Sequence, residues 1–335
     1  MMRINWPNQH SARSHVCLSA LLACALLCAG RPGTAAETIT VALTGTGSAN
    51  DWPLFIAKSK GFFKDGNIEI DAYSASSTAA AMQQLAAGSS NLGSGGLTDP
   101  LRAIDKGAKI ALLRIQAQVP PYSLWAKPGI RTFQDLRGKR IIVGGAKDIT
   151  RIYFDRMVQP NGLAPRDYDL IYAGTTAARF AALFSGAVDA AILVPPFSFK
   201  AEAQRFSLVG RLSDYVKDMP FTGMAVYSEW ARNHKPELIA YLRAYRRAVE
   251  WFYEDANRAE AIQILIKEAG VSSADAESTY DYLKSIQIFA RDGTVGSKEI
   301  ASLVQALADE NDLSGAPDPG RFIDPEIAQL AGQAK

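Results

Sequence analysis

Cysteine and histidine are scarce in this sequence, with three of each in 335 residues. Their positions make them scarcer still for chemistry. Cys17, Cys24, Cys28, His10 and His15 all precede residue 37, and only His234 lies beyond it. From residue 37 onward there is no thiol nucleophile, no thiolate zinc site and no Cys–His dyad. An excess of charge of one sign is lacking too. Thirty-six Lys and Arg face 34 Asp and Glu, and a net charge of +2 gives no electrostatic reason to bind nucleic acid. Sustained apolar sequence is equally short. The stretch over 16–29 (VCLSALLACALLCA) has 14 residues, fewer than the roughly 20 a bilayer core requires.

What is there begins with a leader. Arg3 and Arg13 precede that apolar stretch, no acidic residue occurs before Glu37, and Thr34-Ala35-Ala36 offers an A-x-A-like cleavage site. Residues 1–36 therefore read as a secretory signal peptide, without the paired arginines of twin-arginine export. Leu21-Leu22-Ala23-Cys24 loosely resembles a lipobox, which leaves lipidation at Cys24 as a second reading. Apolar sequence continuing past Cys24 argues against it. Cleavage after Ala36 leaves 299 residues, no cysteine and a net charge of −1. A chain without disulfides must be held by its core, and 48% hydrophobic with 21% charged residues supplies one.

Beyond the leader, short apolar runs alternate with helical spacing, the signature of an α/β architecture. Strands are expected over 39–43, 68–72, 91–93 and 110–115, with helices over 53–59, 79–87 and 98–106 between them. The pattern then repeats: a short helix over 133–138, strands over 141–143, 169–172 and 189–194, and helices over 152–159 and 177–185. Leu85-Ala-Ala-Gly88-Ser-Ser-Asn91 parallels Leu183-Phe-Ser-Gly186-Ala-Val-Asp189, a helix end and glycine stop before a strand. From Lys235 the apolar spacing is helical (Leu238, Leu242, Tyr245, Val249, Phe252). Two α/β halves place a ligand in the crevice between them, at the carboxyl ends of their strands. The chain is expected to cross near 118–124 and return near 221–227. That gives one lobe of 37–120 and 226–335 and a second of 121–225.

Four strand-to-helix loops carry small and hydroxyl residues at the expected helix starts: Ser76, Ser77 and Thr78; Gly95, Gly96 and Thr98; Lys147, Asp148 and Thr150; Thr175 and Thr176. Free backbone N–H groups and the positive end of the helix dipole make such positions receptive to anions. For each hydroxyl taken alone, helix capping is the competing reading; four loops converging on one crevice favour recognition. Lys147, Arg151 and Arg179 lie in or just after the second half's loops, as cations for a small acid or as solvated side chains. Trp52, Tyr122, Phe197 and Phe221 are aromatics near the loops or crossings, able to wall a ligand or to pack in the core. Catalytic motifs are missing: no Gly-x-Ser-x-Gly elbow, no Walker-type loop, no His-Glu-x-x-His. No metal or cofactor is implied. His234, in Arg232-Asn233-His234-Lys235-Pro236, reads as an exposed residue at a helix start.

Three segments carry a family resemblance. Pro53-Leu-Phe-Ile-Ala57-Lys-Ser-Lys-Gly61-Phe62-Phe63 resembles the P-x-x-x-A-x-x-x-G-F-F opening of substrate-binding proteins of nitrate/sulfonate/taurine-type ABC importers. Asp135-Leu136-Arg137-Gly138-Lys139-Arg140-Ile141 is similar to their D-L-x-G-K-x-[VI] segment, and Ala182–Ala191 to their A-L-x-x-G-x-V-D-A segment. The resemblance implies a two-lobed, type II periplasmic-binding fold whose lobes are joined by a hinge and close on a small organic solute. It implies a periplasmic, monomeric receptor with an ABC permease and its cytoplasmic ATPase as partners. It also implies that the solute, expected to be an anion such as a sulfonate or a carboxylate, meets loops containing Thr46, Asn50, Trp52, Ser76, Ser77, Thr78, Gly96, Thr98, Lys147, Thr150, Arg151, Pro196 and Phe197. Tyr122, Thr176 and Thr222 complete the expected set. The fold has enzyme members that use cysteine, a chemistry the chain beyond residue 36 does not carry. An enzyme of this fold acting on an aromatic or sulfur compound through Asp51, Asp148 or His234 is the alternative.

Overall fold

The computed structural model describes residues 36–45, 48–216 and 219–334. The expected signal peptide, Cys24 and Thr46 lie outside the described residues. Among the described residues, ten strands form two five-stranded sheets. The first contains β1 (Glu37–Thr44), β2 (Ile68–Ala75), β3 (Leu92–Gly96) and β4 (Ile110–Ala117). The second contains β5 (Ser123–Ala126), β6 (Arg140–Val143), β7 (Asp169–Tyr172), β8 (Ala190–Leu193) and β9 (Ser207–Arg211), and β10 (Thr222–Tyr227) returns to the first.

The orders are β2-β1-β3-β10-β4 and β7-β6-β8-β5-β9. In each sheet four strands run in one direction, and the fifth, antiparallel to them, is wedged before the outermost. The inner antiparallel strands, β5 and β10, are those nearest the two crossings. The sequence echo between the halves is thus a repeat of topology. The fold is mixed α/β with two lobes.

Parallel sheets covered by helices bury both faces, and β4 is buried along all eight residues. One hydrophobic cluster runs through both lobes, from Ile39 and Val41 to Ile141, Tyr153 and Ile192. The helix Lys235–Tyr253 packs Leu238, Leu242, Tyr245, Val249 and Phe252 into it, all on the expected stripe.

Two local departures from expectation have physical causes. The third strand continues past residue 93 through Ser94, Gly95 and Gly96. Glycine is depleted in strands, but here the Thr78–Ala86 helix lies so close that a Cβ on Gly95 would stand 2.5 Å from Thr78 Cγ2, and one on Gly93 2.7 Å from Met82 Cε. The expected helix over 133–138 is a single 3₁₀ turn, Phe133–Leu136, whose Asp135 carboxylate accepts from the Thr132 amide at 2.9 Å.

Candidate functional site

The strands of both sheets point their carboxyl ends at one cavity of about 660 Å3, part of it open to solvent. The first sheet supplies Thr44, the loop residues Ser48, Asn50 and Asp51, the β3 end (Ser94 to Gly96), and Phe221 and Thr222. The second supplies Tyr122, Asp148 to Thr150, Gly174 to Ala177, Arg179, Pro195 and Phe197.

Among the described residues, Arg179 is the one cation lining this cavity. It is 2% exposed and sits one turn into the Thr176–Phe184 helix. Its Nε donates to the Ile192 carbonyl (2.9 Å), one terminal nitrogen to the Ala173 carbonyl (3.0 Å) and the other to Thr176 Oγ1 (2.8 Å). Neutral oxygens fix the guanidinium, and among the described residues no carboxylate pairs with it. A buried cation without a counter-ion is expensive. Tyr122, whose hydroxyl burial pushes well above its ordinary range while Arg179 pulls it back, stands beside it.

Asp51 faces the same cavity from the other lobe and is 4% exposed. Burial raises its carboxyl to about 6, partly offset by the Ser94 hydroxyl, which donates to Oδ1 at 2.9 Å. Ser94 also lies 2.9 Å from Gln116 Oε1, and Gln116 Nε2 donates to the Tyr245 hydroxyl at 3.1 Å. A chain of polar groups therefore leads from the cavity into the core.

Most of the hydroxyls have local partners as well. Thr78 Oγ1 accepts from the Gly96 amide (3.3 Å) and meets Thr44 Oγ1 at 3.2 Å across the β1–β3 edge. Thr150 Oγ1 accepts from the Gly144 amide (2.7 Å) and donates to Asp148 (2.5 Å), which caps the Ile149–Val158 helix. Thr222 is different: its hydroxyl is buried with no partner among the described residues.

Of the residues expected from sequence, Asn50, Thr78, Gly96, Tyr122, Thr150, Thr176, Phe197 and Thr222 line the cavity. The other described ones stand elsewhere. Trp52 is fully buried; its indole donates to the Ala261 carbonyl (2.9 Å) and lies edge-on to Phe252 and Tyr280. Ser77 caps the Thr78–Ala86 helix through the Ala80 amide (3.1 Å), and Ser76 lies against Gly174 at the rim. Thr98 is fully buried and does not line the cavity. Lys147 pairs with Asp312 outside the cavity, and Arg151 with Asp155 at 2.7 Å along its own helix. Pro196 is buried and does not line the cavity, whereas its neighbours Pro195 and Phe197 do.

Ser94, Ser48 and Thr44 line the cavity without having been expected there. Ser94 carried a signal: it is the one side chain able to hydrogen-bond in the glycine-rich LGSGG strand.

The lobes touch along a rim of glycines. A Cβ on Gly174 of the second lobe would stand 2.5 Å from the Ser76 carbonyl oxygen and 2.8 Å from Ser77 Cβ of the first. One on Gly96 would meet Ile149 Cγ2 at 2.9 Å, and one on Gly45 would meet Thr175 Cγ2 at 3.0 Å. The cleft is closed in this structure.

Two lobes of one strand order, with a polar cavity between them, define a type II periplasmic-binding-protein fold. A family profile described as NMT1/THI5 like matches residues 48–259, and the chain belongs to that family. A 4-amino-5-hydroxymethyl-2-methylpyrimidine phosphate synthase of Uromyces fabae is 21% identical over 249 residues, covering 70% of this chain and 72% of that protein. The alkanesulfonate-binding protein SsuA of Xanthomonas axonopodis pv. citri, solved bound to MOPS, is similar with a TM-score of 0.71. The match covers 87% of this chain and 97% of that one at 18% identity. The periplasmic nitrate-binding protein NrtA of Synechocystis PCC 6803 gives a TM-score of 0.73 over 89% of each chain at 15% identity. At these identities the structural likenesses establish a common fold.

Proposed function

We propose that this protein is the periplasmic solute-binding component of an ABC importer, capturing a small organic acid and delivering it to the membrane permease. The observation that carries the reading is Arg179, a buried guanidinium lining the cavity with no carboxylate among the described residues to neutralise it. A sulfonate or carboxylate supplies the missing charge, and a charge-assisted hydrogen bond contributes roughly 1.5–3 kcal/mol. The unpartnered Thr222 hydroxyl suits the same acid. Asp51, on the facing lobe, accepts a hydrogen from a hydroxyl, amide or ammonium elsewhere on the solute. The solute docks on one lobe, and closure about the two crossings brings the other onto it. Similarity to sulfonate- and nitrate-binding proteins of the same fold supports this reading.

The test is a thermal-shift panel of organic sulfonates and carboxylates, combined with mass spectrometry of solute released from protein purified from its native host. A solute present at a hundredfold over its Kd stabilises the folded state by about 2.7 kcal/mol. That raises Tm by about 5 °C in a chain of this size. A panel in which no acid shifts Tm refutes the reading.

A second reading follows from the synthase relative and from the Asp51 carboxyl, which at about 6 is placed for general acid–base work. Product formed from a bound aromatic or sulfur compound, and lost in Asp51→Asn, would establish an enzyme instead.

A further inference from the structure

Outside the cavity, charged groups from both lobes meet at one point of the rim. The first lobe contributes Asp99 and Arg102 of the Thr98–Asp105 helix, and Asp312 from the segment after the Ser297–Asp309 helix. Arg102 binds both carboxylates, Asp99 at 3.2 Å and Asp312 through Nε, and these side chains are only 9–12% exposed. The second lobe contributes Lys147 and Asp148, from the loop between β6 and the Ile149–Val158 helix. Lys147 reaches over the seam to pair with Asp312 while its own side chain stays 70% exposed. Burial opposes ionisation of Asp312, but Lys147 and Arg102 hold its carboxyl below the usual range. A weaker pair, Arg156 to Asp309 at 3.8 Å, spans the same seam further out.

We propose that Lys147 and the Asp99–Arg102–Asp312 cluster form an electrostatic latch, which holds the lobes together from outside the cavity and sets how much solute-free protein is closed. Arg102 fixes the Asp312 carboxylate before Lys147 arrives, so closure costs only the ordering of one lysine. This preorganisation separates the pair from an ordinary surface ion pair, which contributes little. Burial first, then the Asp148 carboxylate across the seam, puts the Asp99 carboxyl up at about 7. That like-charge contact opposes closure, and the Lys147–Asp312 pair works against it. The latch touches no residue that lines the cavity except Asp148, so it acts on the closing equilibrium and not on solute contacts. A latch of this kind tunes affinity, because a solute that binds the closed form gains what the latch has already supplied.

The inference needs two separable lobes but no knowledge of the solute, so its test is run without one. Small-angle X-ray scattering on the full chain compares wild type with Lys147→Glu, Lys147→Gln, Lys147→Arg and Lys64→Glu. The last makes the same charge change on an exposed first-lobe residue away from the seam. The expected result is a larger radius of gyration and maximum dimension for Lys147→Glu and, to a smaller extent, Lys147→Gln. Lys147→Arg and Lys64→Glu should match wild type. Raising the salt concentration should expand wild type and leave Lys147→Gln unchanged. Circular dichroism melting separates opening from unfolding, and Lys147→Gln carries the test if Lys147→Glu does not fold. Identical scattering from wild type, Lys147→Glu and Lys147→Gln overturns the latch, as does a wild type already as expanded as Lys147→Glu. Neither result bears on whether the protein binds an organic acid.

Discussion

Arg179 and Asp51 line one cavity from opposite lobes, each buried and neither neutralised by the other. Carbonyl oxygens hold the first and a serine hydroxyl the second. Two uncompensated charges in a closed cleft are costly for folding alone, and that cost is what a solute relieves.

The Arg179 guanidinium fits a planar acid through its fork, which lysine lacks. Arg179→Lys should keep the positive charge and weaken capture of the cognate acid by about 10- to 100-fold, the loss of one charge-assisted contact. Arg179→Met should also lower Tm, because the Ile192 and Ala173 carbonyls lose their buried donor. Calorimetric titration and thermal melting of both variants separate the two effects.

Asp51 gives a pH dependence of known sign. Its carboxyl lies at about 6 in the folded protein against an ordinary 3.8. Between those values the folded state keeps a proton that the unfolded chain has released, so stability falls as pH rises through this window and stays lowered above it. The difference corresponds to about 3 kcal/mol as an upper bound. Asp51→Asn should therefore unfold at higher urea than wild type at neutral pH, with the advantage gone in acid below the window. Parallel pH profiles for the two proteins would show that Asp51 carries no such penalty.

Gly174 is tested by a single methyl. The Cβ of Gly174→Ala would press on the Ser76 carbonyl and Ser77 only when the lobes meet. Overpacking costs about 1–3 kcal/mol, which predicts a loss of affinity of about 10- to 100-fold. The variant's own Tm without solute should change little.

Thr222→Val removes a buried hydroxyl that has no partner among the described residues. Without solute, the variant should be as stable as wild type or slightly more so. Affinity for the cognate acid should drop about fivefold, the loss of one hydrogen bond, and an unchanged Kd would show that the solute does not reach Thr222.

Trp52→Phe should behave in the opposite manner. The indole serves Ala261 and the aromatic cluster with Phe252 and Tyr280, so Tm falls by several degrees while the Kd measured by calorimetry stays at the wild-type value.

The contrast between Trp52 and Thr222 shows how far the sequence could be read. Periodicity, glycine stops and hydroxyl caps mark most strands and helices, because these signals are local. The echo of Leu85–Asn91 in Leu183–Asp189 marks the same helix end, glycine stop and strand start in both halves. Side-chain direction is not local. Trp52 sits at the start of a helix beside the cavity loop, yet its ring points to a carbonyl 209 residues away. Lys147 looks like a loop cation for a ligand until Asp312, 165 residues downstream, is brought to it. Arg179 misleads in the other sense, for an arginine in a helix reads as a solvated side chain, whereas the Ile192 carbonyl draws it inward. β9 has no buried residue, and so no alternation to read.

The most direct measurement of the central claim is a calorimetric titration of the full chain with an organic sulfonate and carboxylate panel, run in parallel on Arg179→Lys. The account predicts saturable one-to-one binding of at least one acid, with no chemical change in the recovered solute and a weaker Kd in the variant. Equal affinity in both proteins, or a solute recovered as a different compound, would contradict it.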